Sequence, residues 1–173
     1  ELHGGAGDDS LDGFNGDDTA YGGDGNDFFY PRDGNDTSYG GLGNDTMGGG
    51  AGTDTLYGDA GDDIIQGGNG ADTSHGGAGN DTLDENVQDD GSNDMLFGDA
   101  GNDILRGGNG HDRLDGGANN DAMSGGNGDD VYVVNTTGDT VSEAGTDGTD
   151  TVESFITYAL TTGVENLTLV MGS

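Results

Sequence analysis

Residues 76–84 read Gly-Gly-Ala-Gly-Asn-Asp-Thr-Leu-Asp: three glycines, two acids and one large apolar side chain in nine positions. Alone, such a stretch has too little apolar surface to hold a fold. It is not alone. With Gly4 as position one, the pattern G-G-x-G-x-D-x-U-x, U being large and apolar, recurs nine times without a gap up to Asp84. Four extra residues, Glu85–Gln88, then precede five further copies that run from Asp89 to Val133. Position six is aspartate in all fourteen copies: Asp9, Asp18, Asp27, Asp36, Asp45, Asp54, Asp63, Asp72, Asp81, Asp94, Asp103, Asp112, Asp121 and Asp130. A disordered Gly/Asp-rich linker has no need of a nine-residue clock, so the pattern argues for a repeat architecture. The opening Glu1-Leu2-His3 fits positions seven to nine of a preceding copy, which points to an array that starts upstream.

Composition narrows the chemistry. Of 173 residues, 40 are glycine and 28% are hydrophobic, while 35 acids face three arginines, for a net charge of −32. Nucleic acid and anionic membrane are therefore excluded as natural partners, and cations are strongly attracted. There is no cysteine to form a disulfide staple. The longest apolar runs are about as short as Val131–Val134, so neither a signal peptide nor a transmembrane segment is expected.

Within each copy the residue types have distinct uses. Glycines at positions one, two and four are expected to permit positive φ and turn successive carbonyls toward one point. Positions seven and eight, β-branched or apolar, suit a strand. An all-oxygen donor set suits calcium, whereas zinc fits poorly because cysteine is absent and His3, His75 and His111 fall at positions nine, nine and five. Large apolar residues occupy eleven of the fourteen U positions: Leu11, Phe29, Met47, Leu56, Ile65, Leu83, Leu96, Leu105, Leu114, Met123 and Tyr132. So few cannot offset the entropy of ordering the array together with the repulsion among its carboxylates. A metal must complete the fold.

The repeat over residues 4–133 resembles the calcium-binding nonapeptide of the RTX family of bacterial proteins. The resemblance implies an all-β fold: a parallel β-roll, a β-helix-like solenoid in which six residues turn and three form a short strand, with eighteen to a coil. It also implies calcium ions between same-edge turns of copies i and i+2, held by the position-six aspartates and main-chain carbonyls. About ten ions follow if the four-residue insertion splits the array, or about twelve if it is continuous. At an affinity of roughly 10⁻⁴ M and about 1 mM calcium, each ion would contribute about 1.4 kcal/mol, and almost nothing at cytosolic levels. The resemblance further implies a secreted or cell-surface bacterial protein exported by a type I system, with upstream domains of the same chain as partners.

Departures from the pattern mark weaker turns. Phe14 stands at position two of the second copy and Pro31-Arg32 replaces Gly-Gly in the fourth, which weakens the expected pairs Asp18/Asp36 and Asp36/Asp54. Asp89, Asp90 and Ser92 replace glycines in the tenth, next to the insertion, so a seam is expected at 85–97. The expected domains are a calcium-binding roll over 1–133 and a C-terminal β capping segment over 134–173. In the latter, Phe155, Ile156, Tyr158, Leu160, Leu167 and Leu169 would cover the last rung, and residues 145–153 offer Asp150 as a further half-site.

No catalytic constellation is legible: there is no HExxH, no GxSxG and no lysine for a phosphate loop, so the chain does not read as an enzyme, although a catalytic domain upstream is compatible with it. One other surface stands out. With position eight inward, the even copies place Thr19, Thr37, Thr55 and Thr73 in one outward file and Tyr21, Tyr39, Tyr57 and His75 in the next. Such files stabilise adjacent strands, or else present a flat face for a partner such as an acidic polysaccharide.

Overall fold

The computed structural model describes residues 1–30, 32–85, 90–143 and 148–170. Pro31, the inserted residues 86–88, Asp89, residues 144–147 and residues 171–173 lie outside the described residues. The chain winds into a parallel β-solenoid of two facing sheets, one of ten strands and one of nine. Consecutive strands alternate between the sheets, except Phe28–Tyr30 with Arg32–Asp33 and Thr151–Ser154 with Asn166–Leu169, and the strands of the roll pair in parallel with those one coil away. Tyr21 lies beside Tyr39 and Met47 beside Ile65, a register of eighteen residues. Among the described residues there is no helix, and hence none long and apolar enough to cross a membrane.

Nine of the 19 strands among the described residues are six residues long, as in Thr37–Leu42, Thr46–Ala51 and Thr55–Ala60. The expected three-residue strand is thus extended through positions one to three of the next copy. The reason is that a strict 18-residue register sets equivalent backbone groups opposite one another, and a glycine with equivalent glycines above and below continues the ladder at no steric cost. The expectation of positive φ is corrected in the same way. Outside the tenth copy, position two has it throughout and position four everywhere but Gly101, as in Gly41 (108°) and Gly43 (121°), whereas no position-one glycine does. Where position two is not glycine, Phe14 (66°), Arg32 (85°), Asp59 (68°) and Asp99 (68°) are held in the left-handed region. Arg32 is anchored by an ion pair to Asp12 and lies over the Phe14 ring.

Position eight points inward. Leu11, Phe29, Met47, Ile65, Leu83, Leu105 and Met123 from one sheet meet Ala20, Leu56, Leu96, Leu114 and Tyr132 from the other in a single file of core side chains. Ser38 and Ser74 take the remaining inward places and are fully buried. Position one is also buried, and this explains its glycine. A Cβ on Gly49 would lie 2.5 Å from both Asp54 Oδ2 and the Gly67 carbonyl, whereas one on neighbouring Gly48, at position nine, meets only the Phe29 carbonyl at 3.8 Å. Gly49→Ala should therefore raise the calcium concentration for half-folding severalfold. Gly48→Ala should leave it unchanged or lower it, because it reduces the freedom of the unfolded chain. Circular dichroism titrations of the two variants check this, and equal effects would contradict it.

The strands flanking the insertion pair directly, Ser74 with Leu96 and Leu83 with Leu105, so both sheets run on across it with the local register lengthened from eighteen to 22. At the C-terminal end, Thr151–Ser154 pairs with Val131–Val134, and Asn166–Leu169 pairs with Thr151–Ser154. Ile156, Tyr158 and Leu167 pack against the core there, and Val164 is buried in it, whereas Phe155, Leu160 and Leu169 are exposed.

The outward aromatic file is longer than the sequence reading made it. His3, Tyr21, Tyr39, Tyr57, His75 and Phe97 stack with centroids 4.6–5.1 Å apart and planes within 4–12° of parallel. The ring faces are therefore occupied by neighbouring rings, and what the file turns outward is edges and hydroxyls. Tyr39→Ala combined with Tyr57→Ala removes three of these contacts and should cost about 2–4 kcal/mol while leaving the calcium-saturated fold intact. Chemical denaturation in excess calcium measures it, and a change below about 0.5 kcal/mol would show that the stack adds nothing.

Candidate metal centre

The turns of the roll line two edges, and each edge carries a ladder of position-six carboxylates. On one, the backbone N–H of Asp9 donates to Asp27 Oδ1 (2.8 Å), Asp27 to Asp45 (2.7 Å), Asp45 to Asp63 (2.7 Å) and Asp63 to Asp81 (2.8 Å). The series continues through Asp103 and Asp121 to Asp139. On the other, Asp18, Asp36, Asp54, Asp72, Asp94, Asp112, Asp130 and Asp150 are linked in the same way. Asp150 N–H then donates to Glu165 Oε2 at 2.9 Å. The structure thus brings the fourteen aspartates into two files, and the ladder passes unbroken through Asp18, Asp36 and Asp54 despite Phe14 and Arg32.

After Asp9 and Asp18, which open the files, one oxygen of each carboxylate is used by this ladder. The other is not. Asp9, Asp27, Asp36, Asp45, Asp54, Asp63, Asp72, Asp81, Asp103, Asp121 and Asp130 each bury Oδ2 without a hydrogen-bond partner. At Asp9, Asp27, Asp45, Asp54, Asp63, Asp81 and Asp103, this oxygen and a main-chain carbonyl from the next coil both lie within 2.8 Å of the place that a Cβ on the position-one glycine would take. The point 2.5 Å from Asp54 Oδ2 and the Gly67 carbonyl has counterparts at Gly98, between Asp103 Oδ2 and the Gly116 carbonyl, and at Gly58, between Asp63 Oδ2 and the Gly76 carbonyl. Buried oxygens that face one another with no hydrogen between them repel unless a cation joins them.

Burial is also the main reason why these carboxyls hold protons tightly in the metal-free chain. It pushes Asp45, Asp54 and Asp130 up to about 6, Asp63 and Asp103 to about 7 and Asp72 to about 8, partly offset by the ladder N–H groups and reinforced by neighbouring carboxylates. The unfolded chain releases the same protons near pH 4. Between these limits the folded state binds more protons, so the stability of the metal-free roll falls as pH rises from about 4 to 8. A cation competes with those protons and binds better as pH rises. In chelator, β content measured by circular dichroism should therefore increase on acidification from pH 8 to 4.5. At limiting calcium, raising pH from 5.5 to 7.5 should lower the calcium midpoint. Opposite slopes would contradict the assignment of these groups.

The donor set fits a hard cation. Among the described residues, no three His, Cys, Asp or Glu side chains gather into a metal-ligand group, and calcium's six to eight oxygens can come from backbone carbonyls and water as well as from carboxylates. Calcium held by an aspartate Oδ2 and glycine carbonyls would supply the neutralising charge that the turns lack.

Several residues with a part in the edges are not evident from the pattern. Position five forms a second ladder with the opposite sense, in which Asn26 N–H donates to Asp8 Oδ1, Asn44 N–H to Asn26 Oδ1 and Asp62 N–H to Asn44 Oδ1. Its signal was available, since eleven of the fourteen copies carry Asn or Asp at that position. Asp139 closes one edge differently: its oxygens accept from the Asn135, Thr136 and Asp121 N–H groups and from the Thr136 hydroxyl, which fills its hydrogen-bonding capacity without a metal.

A comparison with protein families agrees with this geometry. The RTX calcium-binding nonapeptide repeat matches residues 1–29, 12–47, 48–83, 84–114 and 97–132, which together span most of the chain. No curated protein matches it. With its repeat, its parallel roll and its files of buried carboxylates, the chain belongs to the RTX calcium-binding nonapeptide-repeat family.

Proposed function

We propose that the chain is a calcium-triggered folding module of a secreted bacterial protein, exported unfolded by a type I system and closed by calcium outside the cell. The observation that carries this reading is the file of buried Oδ2 atoms without donors beside glycine carbonyls. In a low-calcium cytosol these oxygens oppose folding; at about millimolar calcium they draw the coils together. Residues 1–133 act as the calcium-binding array and 134–173 as its cap, and the folded module supports the stability of domains upstream. The fourteen position-six aspartates serve as its ligands, at about ten ions per chain. The array performs no chemistry of its own. Recognition of an acidic polysaccharide on the aromatic face would have to run through hydroxyl edges and bridging calcium, since the ring faces are taken.

Equilibrium dialysis of the full chain with calcium tests the reading. About ten ions should bind with folding, and magnesium at the same concentration should not replace them, because its octahedral demand suits a cage of protein oxygens poorly. Folding without bound calcium at neutral pH would overturn it.

A further inference from the structure

Two turns depart from the others in the same way. Glu85 follows Asp72 by thirteen residues, and Glu143 follows Asp130 by thirteen. Each glutamate stands where the regular array places a position-one glycine, and each introduces a lengthened coil, 22 residues from Asp72 to Asp94 and 20 from Asp130 to Asp150. Glu85 is 1% exposed, with Oε2 accepting the Gly67 and Gly68 N–H groups at 2.6 and 3.2 Å and Oε1 accepting the Ser74 hydroxyl at 3.1 Å. Glu143 lies near Asp130 and Asp150 at the second lengthened coil.

The substitution changes the pocket. On the same edge, the regular turn at Gly49 sets Asp54 Oδ2 beside the Gly67 carbonyl. At Gly67 the place of that carbonyl is taken by Glu85 Oε2, 2.7 Å from where a Cβ would stand and next to Asp72 Oδ2. Asp72 is 2% exposed and its Oδ2 has no hydrogen-bond partner. In the second turn, Asp130 is 1% exposed with Oδ2 unpartnered, and Glu143 Oε1 is likewise buried without a partner. The Tyr132 hydroxyl accepts the Gly125 N–H at 2.6 Å in the same pocket.

We propose that Asp72 with Glu85, and Asp130 with Glu143, form two divalent-cation sites of higher charge than the rest of the roll, which bind calcium most tightly and release it last. This rests on the reading of the regular turns as calcium sites. A second carboxylate in place of a carbonyl adds a full negative charge to the cage, and ligand charge is a main determinant of calcium affinity. The two sites sit at the two irregular coils, where the regular register is interrupted and the most cation charge is needed to hold adjoining blocks together.

The test uses the full chain. Dialysis of the calcium-loaded protein against falling free calcium should leave two ions bound at a concentration about tenfold or more below that at which the others leave. Glu85→Gln with Glu143→Gln, which keeps acceptors for the glycine N–H groups but removes the charge, should abolish this tight pair and leave the remaining ions in place. Terbium(III), added at two equivalents to the calcium-loaded chain and excited through tyrosine, reports the Tyr132 pocket directly. Its emission should fall at least fivefold in Glu143→Gln and far less in Glu85→Gln. A single class of ions in the unaltered chain, or terbium emission indifferent to Glu143→Gln, would overturn the proposal while leaving the regular sites intact. A chain that binds no calcium would overturn both.

Discussion

In chelator at neutral pH the chain will be an expanded coil, and in millimolar calcium a β-rich rod less than half as large in radius of gyration. For 173 residues the unfolded dimension is about 44 Å, against about 16 Å for a compact domain and somewhat more for a solenoid. The expectation follows from three features. The core is one file of side chains at position eight, with glycine or small residues at much of the second inward position. The net charge of −32 opposes compaction. At least eleven buried carboxylate oxygens lack donors, so the metal-free roll pays their desolvation without return. Small-angle scattering with and without calcium decides the matter, and equal radii in the two conditions would refute it.

The second large effect concerns the ends. A solenoid exposes its last rung as both an open strand edge and an uncovered core. Deleting residues 134–173 strips Thr151–Ser154 from the Val131–Val134 strand and Thr140–Val141 from Ala122–Met123. It also removes the buried Val134, Val141, Val152 and Val164 and the Asp150 carboxylate that receives the Asp130 N–H. Each buried valine is worth about 1.5 kcal/mol or more. Deleting residues 1–21 removes one rung, with the inward Leu11 and Ala20, the end rings His3 and Tyr21 and the first carboxylate of each file, but leaves the core from Phe29 onward. The C-terminal deletion should therefore abolish the calcium response or shift its midpoint more than tenfold, and the N-terminal one should shift it less than about threefold. Titrations that rank the two deletions in the opposite order would contradict a C-terminal folding nucleus.

Much of this was legible before the fold was seen. The nine-residue clock sets the alternation of sheets, the 18-residue register, the inward place of Leu83 or Ile65 and the two files of aspartates, because each depends only on residue type and count. What escaped the pattern depends on atoms rather than positions. Position-one glycine is required by an aspartate oxygen and a carbonyl that both approach its missing Cβ, and no count of glycines distinguishes that cause from positive φ. Glu85 and Glu143 are not evident from the pattern because they open irregular coils, where the spacing rule lapses, and a carboxylate that takes the place of a backbone carbonyl, as Glu85 does, is invisible as a repeat residue. His3 and Phe97 extend the aromatic file from a partial copy and from beyond the insertion, both outside the regular run from which the file was read. The ring planes, which turn a file of tyrosines into a stack without free faces, depend on side-chain torsions that sequence does not carry.

The central claim is that calcium occupies the gap between a position-six Oδ2 and the glycine carbonyl of the next coil. Anomalous diffraction from crystals of the calcium-loaded chain locates the ions without assumption. The account predicts peaks in single file along both edges, among them the gaps between Asp54 and the Gly67 carbonyl and between Asp103 and the Gly116 carbonyl. A folded roll with no anomalous density in those gaps, or with calcium only on the exposed position-five file, would contradict it.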